Sequence, residues 1–304
     1  MPDVLRVHVG PKVNDAALEA VRAGGGEPVA AEEAEAIVWL DHDPSQLLPV
    51  LHDGVRWVQL PWAGVERWVA QGAIDDRRVW TSASEAYGDS VAEHVVALML
   101  AGRRRLHACA RATSWDHANG GQPLLGGTMV LVGTGSIGRG VVRLLEPWGM
   151  RIVGVSRSGR PVDGFVRVVP ASDLRDVLPE ADVVVLAAPS TPETAGLVGR
   201  QELAAMRPDA WLVNVARGAL VDTEALVEAL AAGEIEGAAL DVTEPEPLPD
   251  GHPLWTEPRA LISPHRANHG EAADAEMHGL FTRQIQRWIA GEELTGRVDP
   301  GRGY

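Results

Sequence analysis

Short apolar runs, separated by turn residues and amphipathic segments, recur along the whole chain. In its first part they predict strands at residues 4–9, 36–40, 55–60 and 79–81. A helix is predicted from Asn14 or Asp15 to about Arg22, and a short one opens at Pro44. A longer helix is predicted from Asp89 to about Ala110, where apolar residues recur at three- and four-residue steps. This alternation predicts a parallel sheet with helices on both faces.

A second series of the same kind begins at Thr128, after a glycine-rich stretch over residues 111–127 that predicts a surface crossover loop. Its predicted strands cover residues 129–132, 151–155, 182–186, 210–214, 236–240 and 260–262. Its predicted helices cover residues 136–147, 172–178, 200–206 and 222–231, and a last helix covers about 270–290. A chain of 304 residues is long enough for two domains, so the two series predict an α/β protein with two parallel sheets.

One apolar run, Val130–Val132, is followed at once by G-x-G-x-x-G, here Gly133-Thr134-Gly135-Ser136-Ile137-Gly138. Gly133 allows a tight turn, Gly135 lets a pyrophosphate approach the backbone, and Gly138 lets helix and strand pack closely. The N–H groups at the helix start, from Ser136 and Ile137 onward, would face the phosphates. Such a turn also occurs without a ligand, but the strand before it and the helix after it favour a dinucleotide site.

The segment after the next predicted strand bears on the choice of cofactor. It reads Ser156-Arg157-Ser158-Gly159-Arg160, and no carboxylate occurs until Asp163. An acidic residue at this position usually holds the ribose 2′-hydroxyl of NAD. Here hydroxyls and guanidinium groups suit a 2′-phosphate instead, which predicts a preference for NADP(H) over NAD(H). The alternative is that Arg157 stacks on adenine and that either cofactor is used.

Polar side chains follow three further predicted strands, in the stretches 214–218, 241–247 and 263–265. Arg217 can bind a carboxylate and polarise a carbonyl, and His265 can give a proton to a keto oxygen as hydride arrives at carbon. Glu246 can accept a hydrogen bond from the far ring nitrogen and orient the imidazole. Each residue alone has a structural explanation. Their joint occurrence downstream of a dinucleotide turn favours hydride transfer involving an α-keto acid.

The loop Pro61–Val65 follows the predicted strand 55–60, at the sheet edge where ligands of such folds bind. Backbone N–H groups of Ala63, Gly64 and Val65 could bind a carboxylate at a helix start, with Trp62 beside them. The alternative is an ordinary turn in which Trp62 only packs.

The composition of the chain excludes several kinds of binding partner and site. A formal net charge of −15 argues against nucleic acid or an anionic membrane as the main partner. A single cysteine, Cys109, excludes an internal disulfide and a cysteine metal cage, and no metal site is predicted. No run approaches the roughly 18 apolar residues of a membrane span, and residues 1–6 lack a secretory pattern, so a cytoplasmic location is expected.

These motifs together resemble those of the D-isomer-specific 2-hydroxyacid dehydrogenases. The stretches that carry the resemblance are Ser90–His94, Gly133–Gly138, Ala188-Pro189-Ser190-Thr191-Pro192-Glu193-Thr194, Asn214–Gly218, Asp241–Pro247 and Ser263–His265. The end of the chain, Thr295–Asp299 and Arg302-Gly303-Tyr304, further resembles the glyoxylate/hydroxypyruvate reductase branch. Within the first stretch, His94 is interpreted as a structural hydrogen-bonding residue.

The resemblance implies two Rossmann-like domains with the active-site cleft between them. The substrate domain, flavodoxin-like and discontinuous, would comprise residues 1–97 and 268–304, and the dinucleotide-binding domain residues 98–267. Arg217, Glu246 and His265 match the family's catalytic trio, and Ala63–Val65 its carboxylate clamp. Asp241 matches a residue that contacts the nicotinamide carboxamide. Cofactor contacts are also implied for Ala188, Pro189, Thr194, Val215 and Ala216. A homodimer is implied as well.

Two residues depart from the family pattern. Arg266 replaces an apolar residue beside His265 and could act on that histidine, bind a further substrate carboxylate or face solvent. Trp62 would narrow the pocket. The sequence predicts an NADP(H)-preferring reductase of small 2-keto acids, with glyoxylate and hydroxypyruvate as first candidates. Alternatives are a phosphoglycerate-type dehydrogenase, a formate- or phosphite-type enzyme, and a non-catalytic nucleotide-sensing protein, which would not need the complete trio.

Overall fold

The computed structural model describes residues 4–115, 120–268 and 270–301, and its chain divides into two compact units. Unit 1 comprises Met1–Tyr87 and His269–Tyr304, and unit 2 comprises Gly88–Asn268. The motif Arg302-Gly303-Tyr304, singled out in the sequence, lies outside the described residues.

The described residues form parallel sheets connected by helices. The strands are β1 (Arg6–Gly10), β2 (Glu27–Pro28), β3 (Ala36–Trp39), β4 (Trp57–Gln59), β5 (Val79–Thr81), β6 (Thr128–Val132), β7 (Arg151–Ser156), β8 (Arg167–Pro170), β9 (Val183–Leu186), β10 (Trp211–Asn214), β11 (Gly237–Leu240) and β12 (Ala260–Ile262). The helices are α1 (Asp15–Ala23), α2 (Pro44–Leu47), α3 (Glu66–Ala70), α4 (Gly88–Arg103), α5 (Leu106–Arg111), α6 (Ser136–Leu145), α7 (Leu174–Val177), α8 (Arg200–Ala205), α9 (Thr223–Ala232) and α10 (Glu271–Ala290).

Unit 1 is built on a parallel sheet with the strand order β2-β1-β3-β4-β5. Its core contains large buried aromatic side chains, among them Trp39, Trp68 and Trp80. Of the two residues at which the sequence predicted the start of α1, Asn14 is the cap, and its side chain accepts a hydrogen bond from the Ala17 N–H.

Unit 2 is built on a seven-stranded parallel sheet with the order β12-β11-β10-β9-β6-β7-β8. All four residues of β9, β10 and β11 are buried, because helices cover both faces of a parallel sheet. Since every strand runs in the same direction, all seven carboxyl ends lie along one edge. The predicted α/β class with two parallel sheets is confirmed.

The predicted end of the long helix, at about residue 110, is wrong. α4 stops at Arg103, Arg105 adopts a left-handed conformation with φ of 50°, and a separate helix, α5, starts at Leu106. The apolar periodicity runs across the break, so it did not reveal the turn. The boundary predicted after residue 97 also differs, because the units divide between Tyr87 and Gly88. α4 packs closely on α6 along its length, where a Cβ on Gly140 would lie 2.8 Å from that of Ala92.

Two short strands, β2 and β8, were not predicted. Each lies at the edge of its sheet and contains polar residues and a proline, so neither forms an apolar run. Among the described residues, no helix is long and apolar enough to cross a membrane.

Candidate active site

The glycine turn after β6 has the geometry that the sequence predicted. Gly133 has a φ of +107°, and a Cβ there would lie 2.4 Å from the Ala187 carbonyl oxygen. A Cβ on Gly138 would lie 2.4 Å from the Gly133 carbonyl oxygen, so the start of α6 packs directly on the turn. Only glycine fits at these two positions. Both conformation and space exclude a side chain at Gly133, and lack of space excludes one at Gly138.

The middle glycine differs from the other two. A Cβ on Gly135 would meet no heavy atom of the described chain within 4 Å. Gly135 also starts α6 without a side-chain cap, and the first intrahelical hydrogen bond is that of the Arg139 N–H to the Gly135 carbonyl. The backbone N–H groups of Ser136, Ile137 and Gly138 therefore precede the helical ladder. They follow the open space at Gly135, and this arrangement fits a pyrophosphate.

The loop after β7 carries the residues predicted to meet the adenosine end. The Ser156 hydroxyl accepts a hydrogen bond of 3.1 Å from the Gly159 N–H, and the Ser158 hydroxyl accepts one of 3.4 Å from the Arg160 N–H. These contacts close the loop and leave Arg157 and Arg160 exposed. The loop thus presents two guanidinium groups beside the glycine turn, since β7 neighbours β6.

The segment after β9 lies next to the same turn. Ala188 follows Ala187, whose N–H bonds to Val132 at 2.7 Å, and the Thr194 hydroxyl donates to the Pro189 carbonyl at 2.7 Å. Hydrogen bonds from Thr191 and from the backbone, and then the nearby Arg157 guanidinium, lower the pKa of the Glu193 carboxyl despite some opposing desolvation. The loops after β7 and β9 therefore approach each other.

The turn after β10 is fixed by the buried Asn214. Its side-chain amide donates to the Arg217 carbonyl at 2.9 Å, and its side-chain oxygen accepts from the Ala216 N–H at 3.0 Å. Val215 and Ala216 are buried, whereas Arg217 is half-buried. A Cβ on Gly218 would lie 2.0 Å from the Thr243 carbonyl oxygen, so this turn packs directly on the loop that follows β11.

Glu246 and His265 come together after the neighbouring strands β11 and β12. Nδ1 of His265 lies 2.6 Å from Oε1 of Glu246, with 51% and 40% of the two side chains exposed. A carboxylate only accepts hydrogen bonds, so Nδ1 carries the proton of this contact. Nε2 makes no hydrogen bond within the described part of the chain, and it remains available to a ligand.

Asp241 lies beneath the turn that carries His265. The residue is 2% exposed, and its carboxylate accepts hydrogen bonds from the Ser263 hydroxyl at 2.5 Å and from the N–H groups of Arg266 and Ala267 at 2.8 and 3.0 Å. Burial alone would raise the pKa of Asp241, but hydrogen bonds from His94, Ser263 and these two N–H groups outweigh it and lower the pKa to about 2.

The structure therefore brings most of the predicted unit 2 residues to one sheet edge. It also shows that Ser263 and His94 belong to the hydrogen-bond network around Asp241. The sequence assigned neither residue a role in the chemistry, and it interpreted His94 only as structural. The Ser263 hydroxyl was signalled only by its place two residues before His265. Arg266 is exposed, and its backbone, not its guanidinium, contacts Asp241.

In unit 1, Trp62 follows β4 and stacks on His42, which follows β3. The two rings are parallel within 2°, with centroids 4.3 Å apart. Burial lowers the pKa of His42, Asp41 opposes this effect, and Arg67 adds a smaller lowering effect, so the net shift is downward. Nε1 of Trp62 is buried and finds no hydrogen-bond partner among the described residues.

The adjoining residues Ala63, Gly64 and Val65 lead into α3. Val65 occupies the N-cap position with no side-chain hydrogen bond. Their proposed contact with a carboxylate stays a prediction.

The glycine turn, the open helix start and the polar carboxyl edge define unit 2 as a dinucleotide-binding domain with groups suited to acid–base chemistry. Comparison with known proteins makes this specific. The family model described as D-isomer specific 2-hydroxyacid dehydrogenase, NAD binding domain, matches residues 96–267.

Two relatives of known name are similar over much of the chain. A glyoxylate reductase from Thermofilum pendens is 37% identical over 213 residues, which are 67% of this chain and 63% of the relative. A D-3-phosphoglycerate dehydrogenase from Methanocaldococcus jannaschii is 34% identical over 234 residues, which are 75% of this chain and 44% of the relative. The chain thus matches less than two thirds of the length of either protein.

A solved structure is similar over nearly the full length. It is a D-isomer specific 2-hydroxyacid dehydrogenase from Xanthobacter autotrophicus Py2 in complex with NADPH and MES. It has a TM-score of 0.83 and 26% identity, and the match covers 99% of each chain. The chain belongs to the D-isomer specific 2-hydroxyacid dehydrogenase family, and it is an oxidoreductase with an NAD(P)-binding domain.

Proposed function

We propose that the chain is an NADP(H)-preferring oxidoreductase that interconverts small 2-keto acids, of the glyoxylate and hydroxypyruvate type, with D-2-hydroxy acids. The observation that carries the proposal is the 2.6 Å contact between Glu246 and His265 on the sheet edge that also holds the glycine turn. It leaves an oriented imidazole with a free Nε2 on the edge where the cofactor would bind.

His265 is the acid–base group of this proposal. Glu246 holds the proton on Nδ1, so Nε2 is the atom that exchanges a proton with the substrate oxygen. Arg217 binds the carboxylate and the carbonyl oxygen, because its planar guanidinium donates two parallel hydrogen bonds and stabilises negative charge on oxygen. The packing of Gly218 on Thr243 keeps the Arg217 turn next to the Glu246 loop.

The cofactor assignment follows the three loops around the glycine turn. The N–H groups of Ser136, Ile137 and Gly138 would hold the pyrophosphate, and Arg157 and Arg160 would hold a 2′-phosphate, with Ser156 and Ser158 shaping their loop. When bound, the nicotinamide cofactor gives or takes the hydride. The NADPH in the Xanthobacter relative supports this assignment. Contacts of Ala188, Pro189, Thr194, Val215, Ala216 and Asp241 with the cofactor remain predictions.

Two relatives with different substrates bear on the substrate assignment. The Thermofilum glyoxylate reductase favours a small keto acid, as does the rigid Trp62–His42 stack beside the proposed carboxylate clamp, Ala63–Val65. The Methanocaldococcus relative favours a phosphoglycerate dehydrogenase as the second candidate. A phosphorylated substrate would require a further cationic pocket.

The test is a panel of keto acids offered with NADPH and with NADH and followed at the nicotinamide absorbance. Glyoxylate and hydroxypyruvate should be reduced with a higher kcat/KM than 3-phosphohydroxypyruvate, and NADPH should exceed NADH. A preference for the phosphorylated acid would select the second candidate. A lack of turnover with every acid and both cofactors would contradict both candidates.

A homodimer is part of the same proposal. Large apolar side chains are exposed on and beside the crossover segment, with Leu106 at 54%, Trp115 at 86% and Leu125 at 71% exposed. Contiguous apolar surface marks interfaces, and a partner chain that covered these three side chains would remove them from water. Light scattering coupled to size-exclusion chromatography would give the mass of two chains, and a monomer mass at micromolar concentration would contradict the proposal.

A further inference from the structure

His265 has an uncommon backbone conformation. Its φ is +51°, in the left-handed region that residues other than glycine seldom adopt. Such a conformation persists where the surroundings fix it in several ways. Most of the contacts that fix it here lead to one residue, Asp241, and the His265 N–H also bonds to the Ser263 carbonyl at 2.9 Å.

Asp241 holds the turn from both sides of His265. Its main-chain carbonyl accepts the His265 N–H at 2.7 Å, and its carboxylate accepts the next two N–H groups, from Arg266 and Ala267. On the other side, the Ser263 hydroxyl donates to Oδ1 of Asp241 at 2.5 Å. The left-handed step is therefore bracketed by hydrogen bonds to a single buried aspartate.

Helix α4 contributes further hydrogen bonds to this turn, through His94 and Ser90. Nε2 of His94 lies 2.9 Å from the Ser263 hydroxyl oxygen and 3.3 Å from Oδ1 of Asp241. The Ser263 hydroxyl gives its one proton to Asp241, so it must accept from the Nε2–H of His94. One turn earlier, the Ser90 hydroxyl donates to the Ala267 carbonyl at 3.1 Å. The rigid helix thus contacts both ends of the turn.

We propose that His94 and Ser263 are positioning residues for His265. His94 donates to the Ser263 hydroxyl oxygen, and Ser263 donates to Asp241. This chain of hydrogen bonds holds the turn in its left-handed conformation and places Nδ1 of His265 against Glu246. The inference rests on the proposed acid–base function of His265, but its structural part concerns only the orientation of that ring. Neither His94 nor Ser263 exchanges a proton with the substrate.

Two variants and one rescue test the proposal in the full chain. Ser263→Ala removes the hydroxyl bridge, and His94→Phe removes the ring donor while keeping an aromatic side chain. His94→Gln keeps an N–H that can reach the Ser263 oxygen. The matched control is His107→Gln, because His107 is a buried histidine of the same unit that makes no hydrogen bond to the described residues of the turn. It bonds the carbonyls of Ala101 and Pro258, and Pro258 lies at the other end of β12 from Ser263.

Two readouts separate positioning from general destabilisation. The first is the ¹⁵N spectrum of the neutral His265 ring without substrate, in which wild type should show a single tautomer with the proton on Nδ1. The second is the split between kcat and KM for the best keto acid. Ser263→Ala and His94→Phe should give a mixture of tautomers and lower kcat about 10–100-fold, the effect expected of a misplacement near 1 Å, with KM changed little.

His94→Gln should restore both readouts most of the way, and His107→Gln should lower the melting temperature without moving either. Unchanged His265 tautomers in Ser263→Ala and His94→Phe would overturn the inference, whatever their activity. If wild type reduces no keto acid, the proposed function fails. The ring spectra would still decide whether the turn is held in this way.

Discussion

Oε1 of Glu246 lies 2.6 Å from Nδ1 of His265, and the two residues follow adjacent strands of one parallel sheet. About half of each side chain is exposed, so the pair adds little to the stability of the fold, on the order of 0–1 kcal/mol. The main effect of the pair is therefore to orient the imidazole. Substitutions in the pair should change the activity much more than the stability of the fold.

His265→Ala should lower kcat by roughly 10²–10⁴-fold, the contribution of one proton-transfer group. Glu246→Gln should lower kcat less, because the amide keeps the shape but accepts the Nδ1–H more weakly. Steady-state kinetics and thermal unfolding check both variants. Retained turnover in His265→Ala would remove this histidine from its proposed function. A large drop in melting temperature would show that the pair is structural instead.

Gly133 and Gly135 should respond differently to alanine. Gly133→Ala places a Cβ 2.4 Å from a carbonyl oxygen at a φ of +107°, so it should destabilise unit 2 by about 1–3 kcal/mol or more. Gly135→Ala enters open space, so the melting temperature should hold while the Kd for NADPH rises about tenfold, or about 1.4 kcal/mol. Calorimetry and cofactor titration measure the two effects. An unchanged Kd in Gly135→Ala would place the pyrophosphate elsewhere.

Arg157→Ala should weaken NADPH binding much more than NADH binding. Loss of a charge-assisted hydrogen bond to a 2′-phosphate costs about 1.5–3 kcal/mol, so the KM for NADPH should rise at least tenfold. Arg151→Ala is the matched control, because Arg151 is an exposed arginine at the other end of β7. Equal effects of Arg157→Ala on both cofactors would contradict the assignment of NADP(H).

Asp241 should make the stability of the protein depend on acid pH. Its folded pKa of about 2 lies below the ordinary 3.8, so its carboxylate stabilises the fold above about pH 4, and this contribution is lost as the pH falls through about 2. The difference corresponds to about 2 kcal/mol. Asp241→Asn should therefore lower the free energy of unfolding clearly at pH 7 and much less near pH 2.

Urea denaturation at both pH values checks this dependence. Asp250→Asn removes an exposed carboxylate from the loop after the same strand, and it serves as the control for the change in net charge. A gap between wild type and Asp241→Asn that is equally large at both pH values would show that the side chain's shape, and not its charge, stabilises the turn.

Trp62→Ala should broaden the range of substrates. The indole stacks on the His42 ring. Its removal would open space beside Ala63–Val65 for a substrate with a larger side chain. The ratio of kcat/KM for phenylpyruvate to that for glyoxylate should rise about tenfold, within the range that pocket-filling groups control. Trp62→Phe, which keeps an aromatic ring, should change the ratio less. An unchanged ratio in Trp62→Ala would exclude this surface from substrate selection.

The sequence predicted those parts of the fold whose signal is local. β9, β10 and β11 are buried on both faces, so each appears as a short, mainly apolar run bounded by turns. β8 lacks such a run because it lies at the sheet edge, and its pairing with β7 supplies what its own residues do not. The turn at Arg105 was missed for a related reason, since its backbone conformation depends on contacts and leaves no periodic trace.

In the site, too, local features were predicted and features that depend on distant contacts were not. The pairing of Glu246 with His265 follows from residue types at strand ends, because parallel strands bring their carboxyl ends together. The contact of His94 with Ser263 joins residues 169 positions apart, and a histidine on an amphipathic helix carries no sign of its partner. The left-handed step at His265 was equally hidden, because histidine does not signal it as glycine would.

The strand order of unit 2 has a consequence for how the protein can change. From β7 to β12 the sheet runs through β6, β9, β10 and β11, which is about 24 Å at roughly 4.8 Å per strand. Substitutions in the Ser156–Arg160 loop therefore lie too far from the His265 turn to disturb it directly. If the proposed assignments hold, cofactor choice and acid–base chemistry can diverge as separate traits. A lineage could then exchange one nicotinamide nucleotide for the other without rebuilding the His265 turn.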